Sequence, residues 1–191
     1  GEALASCQEA LDLNSNSADG YNNIGIIFLE LEKFNEAVTS FERGIKINPN
    51  FAEAHCNLGV VQNKLGNIDE AITSYQKAIT LRPEYAQAHF NLANLLKEIG
   101  RLDEAVASYQ RAISSKPDYA EAHNNLGIIF QDHKELDKAA ESYLKALKLK
   151  HDYAEAHYNY GNILLEKGKL EEAINAYQKA ITANPNYAKA H

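Results

Sequence analysis

The sequence contains no methionine, not even at residue 1. The chain therefore reads as a piece of a longer polypeptide. Only two cysteines occur, Cys7 and Cys56. They have neither metal-ligand spacing nor the pattern of a disulfide framework. This usage fits a reducing, cytoplasmic compartment. No apolar run reaches membrane-spanning length, so no membrane insertion is expected. No signal-peptide pattern opens the chain. Positive charge is also short: 19 Lys and Arg face 26 Asp and Glu, a net charge of −7. A duplex binder needs a basic stripe to displace counterions. Here Lys77, Lys145 and Lys179 lie among acidic neighbours. They read as a solvated mixed-charge face, and nucleic acid is excluded as a partner.

What is present is self-similarity. Residues 52–85 read AEAHCNLGVVQNKLGNIDEAITSYQKAITLRPEY and nearly recur at 86–119, 120–153 and 154–187. A looser copy fills 18–51, so there are five full repeats with a period of thirty-four. Residues 1–17 read as the second helix of a partial repeat: Ala3, Cys7 and Ala10 fall one period before Ala37, Phe41 and Gly44. Residues 188–191 start a further unit. A fixed period of this length signals an array of stacked units rather than a single globule. Each unit then touches mainly its neighbours.

Within a unit the apolar residues mark two helices. In 86–119, His89, Leu92, Ala93 and Leu96 recur at three- and four-residue spacing, one helical stripe. Gly100 follows and can end that helix in the left-handed conformation. Asp103 is the expected N-cap of a second helix. Ala105, Val106, Tyr109, Ala112 and Ile113 form its stripe. Pro117 closes it. Period-two alternation is absent, which excludes strands.

With Ala18, Ala52, Ala86, Ala120 and Ala154 as position 1, small residues recur at positions 8, 20 and 27. Aromatic residues recur at 24 (Phe41, Tyr75, Tyr109, Tyr143, Tyr177) and at 34 (Phe51, Tyr85, Tyr119, Tyr153, Tyr187). Proline stands at 32 in four repeats. The small positions let two helices approach, and the large ones fill the space between.

On these residues the chain resembles the tetratricopeptide repeat family over essentially its whole length. It departs from that pattern in three ways. His55, His89, His123 and His157 replace the usual aromatic at position 4. His151 replaces the proline at 32. Lys134 replaces glycine at 15, beside His133. The repeat 120–153 is therefore expected to be the softest. The resemblance implies an all-α fold: an α-solenoid of antiparallel helix pairs coiled into a right-handed superhelix. The first helix of each pair would line a concave groove. Uncapped ends would leave apolar surface for end-to-end self-association.

Positions 2, 5, 6, 9, 12 and 13 face the groove in that family. Position 6 is asparagine in every full repeat: Asn23, Asn57, Asn91, Asn125 and Asn159. Asn22 and Asn124 stand at position 5, and Asn94 and Asn162 at 9. An amide donates and accepts, so a column of amides can hold the backbone of an extended protein or peptide segment. The other reading is a local hydrogen bond between neighbouring helices. Phe90 and Tyr158 at position 5, with Ile26, Val60 and Ile128 at 9, would contact ligand side chains. The uninterrupted ladder, with its A-E-A-H-x-N-L-G opening, is similar to the repeat region of the O-linked N-acetylglucosamine transferase family. There the concave asparagines bind the backbone of target polypeptides. The chain would then be the substrate-docking region of a larger protein O-glycosyltransferase. The two-carboxylate clamp of chaperone-binding relatives requires Lys at position 5 and Lys and Arg at 2 and 6. This chain has Asn22, Cys56, Phe90, Asn124 and Tyr158 at position 5 and acids or amides at 2 and 6, so that ligand class is excluded.

No constellation points to catalysis or a cofactor. Metal ligands must lie about 2 Å from one ion. Helices pack about 8–10 Å apart, so histidines one per repeat cannot share an ion. Each is expected to pack inside its own repeat. Glu53, Glu121 and Glu155 stand at position 2, near a helix start, and suit the helix dipole better than acid–base work. The segment is expected to be a non-catalytic interaction scaffold.

Overall fold

The computed structural model describes residues 16–186. Of the partial repeat expected over 1–17, residues 1–15, with Cys7, lie outside the described residues, as do Tyr187 and the stretch 188–191. Ten α-helices and no strands occur among those described. The chain divides into two compact units, residues 1–99 and 100–191.

The first unit contains α1 (Ala18–Glu30), α2 (Phe34–Ile47), α3 (Ala52–Lys64), α4 (Ile68–Leu81) and α5 (Ala86–Glu98). Helix α1 packs chiefly on α2, and α3 on α4. Weaker seams join α2 to α3 and α4 to α5. The second unit contains α6 (Leu102–Ser115), α7 (Ala120–Asp132), α8 (Leu136–Leu149), α9 (Ala154–Glu166) and α10 (Leu170–Ala183). There α7 pairs with α8 and α9 with α10, with seams between α6 and α7 and between α8 and α9. The all-α class and its helix-pair repeats are observed. First helices also touch along each unit: α1 meets α3, α3 meets α5, and α7 meets α9.

The expected small and large positions make the core. Ala37, Ala71, Ala105 and Ala139 at position 20 are fully buried. So are Phe41, Tyr109 and Tyr143 at position 24, with Tyr75 nearly so. In the first unit Phe41, Leu58 and Val61 pack with Ile26, Phe34 and Ile45. In the second, Tyr143 and Ile163 pack with Ile128, Phe130 and Leu136.

The turn inside each pair closes by one device. The N–H of Asn67 donates to the carbonyl of Gln62 at 2.9 Å, and that of Gly66 to Asn63 at 3.0 Å. This is the Schellman arrangement, which needs a left-handed residue just past the helix. Gly66, Gly100 and Gly168 supply it with φ of 80°, 79° and 74°. Lys134, the expected departure, holds φ 62°. Glu32 at the same position of the first repeat holds φ 56° and is a second departure.

Asp103 is not the N-cap of α6. The cap residue is Arg101, which makes no side-chain capping bond, and Asp103 lies in the first turn. The guanidinium of Arg101 instead binds Glu104 at 2.6 Å, holding that carboxyl below its ordinary pKa. Lys169 and Glu172 repeat this pairing at 3.0 Å. Glu135 and Lys138 repeat it with the charges exchanged. An acidic residue in the first turn also favours the helix through its dipole.

Candidate functional site

In the first unit the Asn57 side chain donates from Nδ2 to Asn22 Oδ1 at 3.0 Å. Asn91 Nδ2 donates to Cys56 Sγ at 3.7 Å and its Oδ1 accepts from Gln87 Nε2 at 2.8 Å. Asn23 is exposed. In the second unit Asn159 Nδ2 donates to Asn124 Oδ1 at 3.2 Å. Asn125 Nδ2 donates to the Tyr109 hydroxyl at 3.3 Å. The amide at position 6 is thus tied to the preceding repeat, three times to its position 5 or, at Asn125, to its position 24. The local bond between neighbouring helices is present. An amide carries two N–H donors and a two-lone-pair oxygen, so one lateral bond orients it and leaves other hydrogen-bonding capacity on the same group.

Position 5 is buried in three repeats. Asn124 is fully buried, Cys56 is 1% exposed and Asn22 is 7% exposed. The reason is the seam between successive first helices: position 5 points into it. Asn124 therefore supports the row rather than presenting itself to a ligand. Phe90 and Tyr158 are half-buried, as are Asn94, Asn162, Ile26, Val60 and Ile128. The Tyr158 ring lies 5.7 Å from that of Tyr177. The Tyr177 hydroxyl donates to Asn162 Oδ1 at 2.9 Å.

Burial controls the thiol in this row. Cys56 is pushed up to about 11, chiefly by desolvation, against the lowering effect of the Asn91 amide. Beside it, burial pushes the Tyr85 phenol up to about 12. Neither group is ionised at neutral pH.

The acids at position 2 do more than face a helix dipole. Glu53 pairs with Arg82, and Glu121 with Lys150 at 3.5 Å. Both cations stand at position 31 of the same repeat. Each also lies over the aromatic at position 34, with Arg82 and Lys150 each 4.8 Å from the Tyr85 and Tyr153 centroids. Lys116 does the same over Tyr119 at 4.8 Å. The signal was present in the period as cations at 31, three residues before an aromatic.

The position-4 histidines make a polar contact across the repeat junction. Nε2 of His55, His89, His123 and His157 meets the carbonyl of residue 49, 83, 117 and 151 respectively, at 3.1, 2.9, 3.4 and 2.8 Å. Each therefore bridges to position 32 of the preceding repeat. The acceptor is backbone, so His151 in place of proline leaves the bond intact. Desolvation by burial lowers the pKa of His123 and of His157, against the raising effect of the carbonyl contact. Among the described residues no three His, Cys, Asp or Glu side chains gather as a metal site, and no helix is long and apolar enough to cross a membrane.

Residues 27–66, 63–100, 93–134, 132–166 and 161–191 each match the family model described as the TPR repeat. No curated protein matches the chain in sequence. Several solved structures share the fold. MamA is 29% identical with a TM-score of 0.77, over 87% of this chain and 97% of its own. YrrB, described as a TPR protein with an unusual peptide-binding site, is 22% identical with a TM-score of 0.76, over 98% and 97%. Pseudomonas aeruginosa pilF is 22% identical with a TM-score of 0.84, over 91% and 79%.

Proposed function

The chain belongs to the tetratricopeptide repeat family, a protein-interaction scaffold type, and on that premise we propose that it binds an extended polypeptide segment non-catalytically along its first helices. The reading rests on one observation. The position-6 amides are already oriented by lateral bonds, as Asn57 is by Asn22 and Asn159 by Asn124. An oriented polar group binds with less entropy to lose than a mobile one. Asn23, Asn57 and Asn91 would serve this role in the first unit, and Asn125 and Asn159 in the second. Half-buried Ile26, Val60, Phe90, Ile128 and Tyr158 would take ligand side chains, and Asn94 and Asn162 would add polar contacts. Amides beside apolar patches suit a polypeptide. YrrB, as a TPR protein described with a peptide-binding site, offers a precedent for the class of ligand.

The direct test is affinity capture with the triple variant Asn57→Ala, Asn91→Ala and Asn125→Ala beside the wild-type chain. Partner recovery should drop while helicity by circular dichroism persists. Equal recovery from a folded triple variant would remove the asparagine row from the binding account.

A second reading has its own observation. Leu165, Leu170 and Ile174 are 50%, 59% and 57% exposed. Ile72, at the position of Ile174, is only 8% exposed. Self-association through this apolar end would cover them. Sedimentation across a concentration series separates the two, since a monomer at every concentration eliminates self-association.

A further inference from the structure

In the second unit, positions 2, 5, 6, 9, 12 and 13 of a first helix share one face, because residues three and four apart are neighbours on a helix. On α7 and α9 those positions hold Glu121, Asp132, Glu155 and Glu166 and no cation. Two of these acids are matched from outside the face. Glu121 pairs with Lys150 at 3.5 Å, and Glu166 meets Lys134 at 3.8 Å. Among the described residues Asp132 and Glu155 make no ion pair. The unit's other ion pairs tie Arg101, Lys138, Lys145, Lys167 and Lys169 to Glu104, Glu135, Glu141, Asp137 and Glu172. Lys116 lies over Tyr119, and Arg111, Lys148 and Lys179 stand on the second helices. Burial raises the pKa of the Tyr143 phenol, and the Asp132 and Glu155 carboxylates raise it further. Carboxylates from α7 and α9 thus act on one hydroxyl, which donates to Gln131 Oε1 at 2.9 Å.

Glu155 also departs from the repeat pattern. In two other repeats the position-2 glutamate has a cation built in at position 31, Arg82 for Glu53 and Lys150 for Glu121. In the repeat that carries Glu155, position 31 is Asn184. Asn184 ends α10, and its Oδ1 accepts from the N–H of Asn186 at 3.1 Å. Asp19 and Asn48 show the same exchange in the first repeat, but position 5 there is the buried Asn22. Beside Glu155, position 5 is the half-buried ring of Tyr158, next along the same face. A carboxylate beside an aromatic ring matches a guanidinium, whose planar fork pairs with the one and stacks on the other.

Resting on the reading of an extended segment along the first helices, we propose that Glu155 and Tyr158 take an arginine side chain of that segment. Glu155 would accept from the guanidinium, and the Tyr158 ring would lie against its plane. Asp132 would add negative potential from α7. The partner is then a polypeptide with an arginine at this point, rather than a neutral or acidic stretch.

The test pans a displayed library of random dodecapeptides on the whole chain and sequences the bound pool. Arginine should be enriched over the input. A recovered arginine peptide should bind about fivefold tighter than its citrulline counterpart, which keeps the shape and loses the charge. Glu155→Gln, the residue type of Gln87 at the same position, should abolish that difference. Tyr158→Leu should reduce the preference for arginine over lysine, with helicity by circular dichroism unchanged. Glu171→Gln, at an exposed acid on α10 outside the row, should leave the difference intact. An equal loss in Glu171→Gln would reveal diffuse attraction by net charge and overturn the proposal, as would indifference to Glu155→Gln. Peptides whose recovery needs Asn125 and Asn159 but which show no arginine enrichment would overturn it and leave the extended-segment reading standing. No recovery at all would overturn both.

Discussion

Tyr75 lies flat against the backbone of Gly59: a β-carbon at Gly59 would sit 2.7 Å from Tyr75 Cε1. Such an approach leaves no room for a methyl group. Tyr75 is 2% exposed and cannot swing into solvent without opening the α3–α4 pair. Gly59→Ala should therefore cost about 1–3 kcal/mol through overpacking. Urea unfolding followed by circular dichroism checks this. Ala105→Leu, at a fully buried position, should cost a similar amount for the same reason.

The Asn22–Asn57 pair should show coupling. Asn22 is buried, so removing the Asn57 donor strands a carbonyl oxygen away from water. Asn57→Ala should cost about 1–3 kcal/mol. In the double variant with Asn22→Ala the stranded oxygen is gone too. A double-mutant cycle should return an interaction of about 0.5–1.5 kcal/mol. Strict additivity would show that the bond contributes nothing to folding.

The left-handed turns can be improved or spoiled at will. Glu32 and Lys134 hold positive φ without being glycine, which costs about 1–2 kcal/mol. Glycine there relieves that strain but adds unfolded-state freedom, a loss of about 0.4–1 kcal/mol. Glu32→Gly and Lys134→Gly should each stabilise by about 0.5–1 kcal/mol. The ion pair of Lys134 with Glu166 spans 3.8 Å at the surface and is worth little. Gly66→Ala should destabilise by about 1 kcal/mol or more; nothing lies within 4 Å of its added β-carbon, so the whole effect is conformational. Hydrogen exchange should find weaker amide protection in 120–153 than in 52–85, and Lys134→Gly should narrow the gap.

Acid should weaken the fold through two imidazoles. Burial lowers the pKa of His123 and His157 below the ordinary 6.5. In that window the unfolded chain binds more protons than the folded one. Stability is thus fully present above about pH 6.5 and is lost as pH falls toward the lowered folded-state values. His123→Tyr with His157→Tyr, the residue type of Tyr21 at position 4, should flatten the fall in Tm between about pH 7 and pH 5. An unchanged slope would assign that fall to carboxylates alone.

Cys56 should be chemically silent in the folded state. Its thiol is 1% exposed and its pKa is pushed up to about 11, so neither access nor thiolate is available. In a Cys7→Ser background, a disulfide reagent should label Cys56 at the rate of unfolding rather than at the rate of a free thiol. Prompt labelling would mean that the seam between α3 and α5 opens readily.

The helices and their pairing were legible because their causes are local. The breakers Gly66, Pro83 and Gly100, the buried alanines at position 20 and the rings at position 24 act within one period. Glu32 was equally legible, since the period places it over Gly66 and Lys134. The cations at position 31 were readable in the same way.

The candidate site divides along the same line. The sequence by itself determined that asparagine occupies position 6 of every full repeat and that histidine occupies position 4 of four. Only the tertiary structure decided what those side chains do. The Asn57–Asn22 and Asn159–Asn124 bonds join residues thirty-five apart. Their existence depends on how far one first helix is rotated against the next. That rotation also buries Asn124 and leaves Asn159 half-exposed on the same turn of its own repeat. The loop entering each first helix from α3 onward, in turn, brings a backbone carbonyl within reach of the position-4 histidine six residues later. A period places residues on a face of one helix; only the packing of two helices decides whether that face meets water or a neighbour.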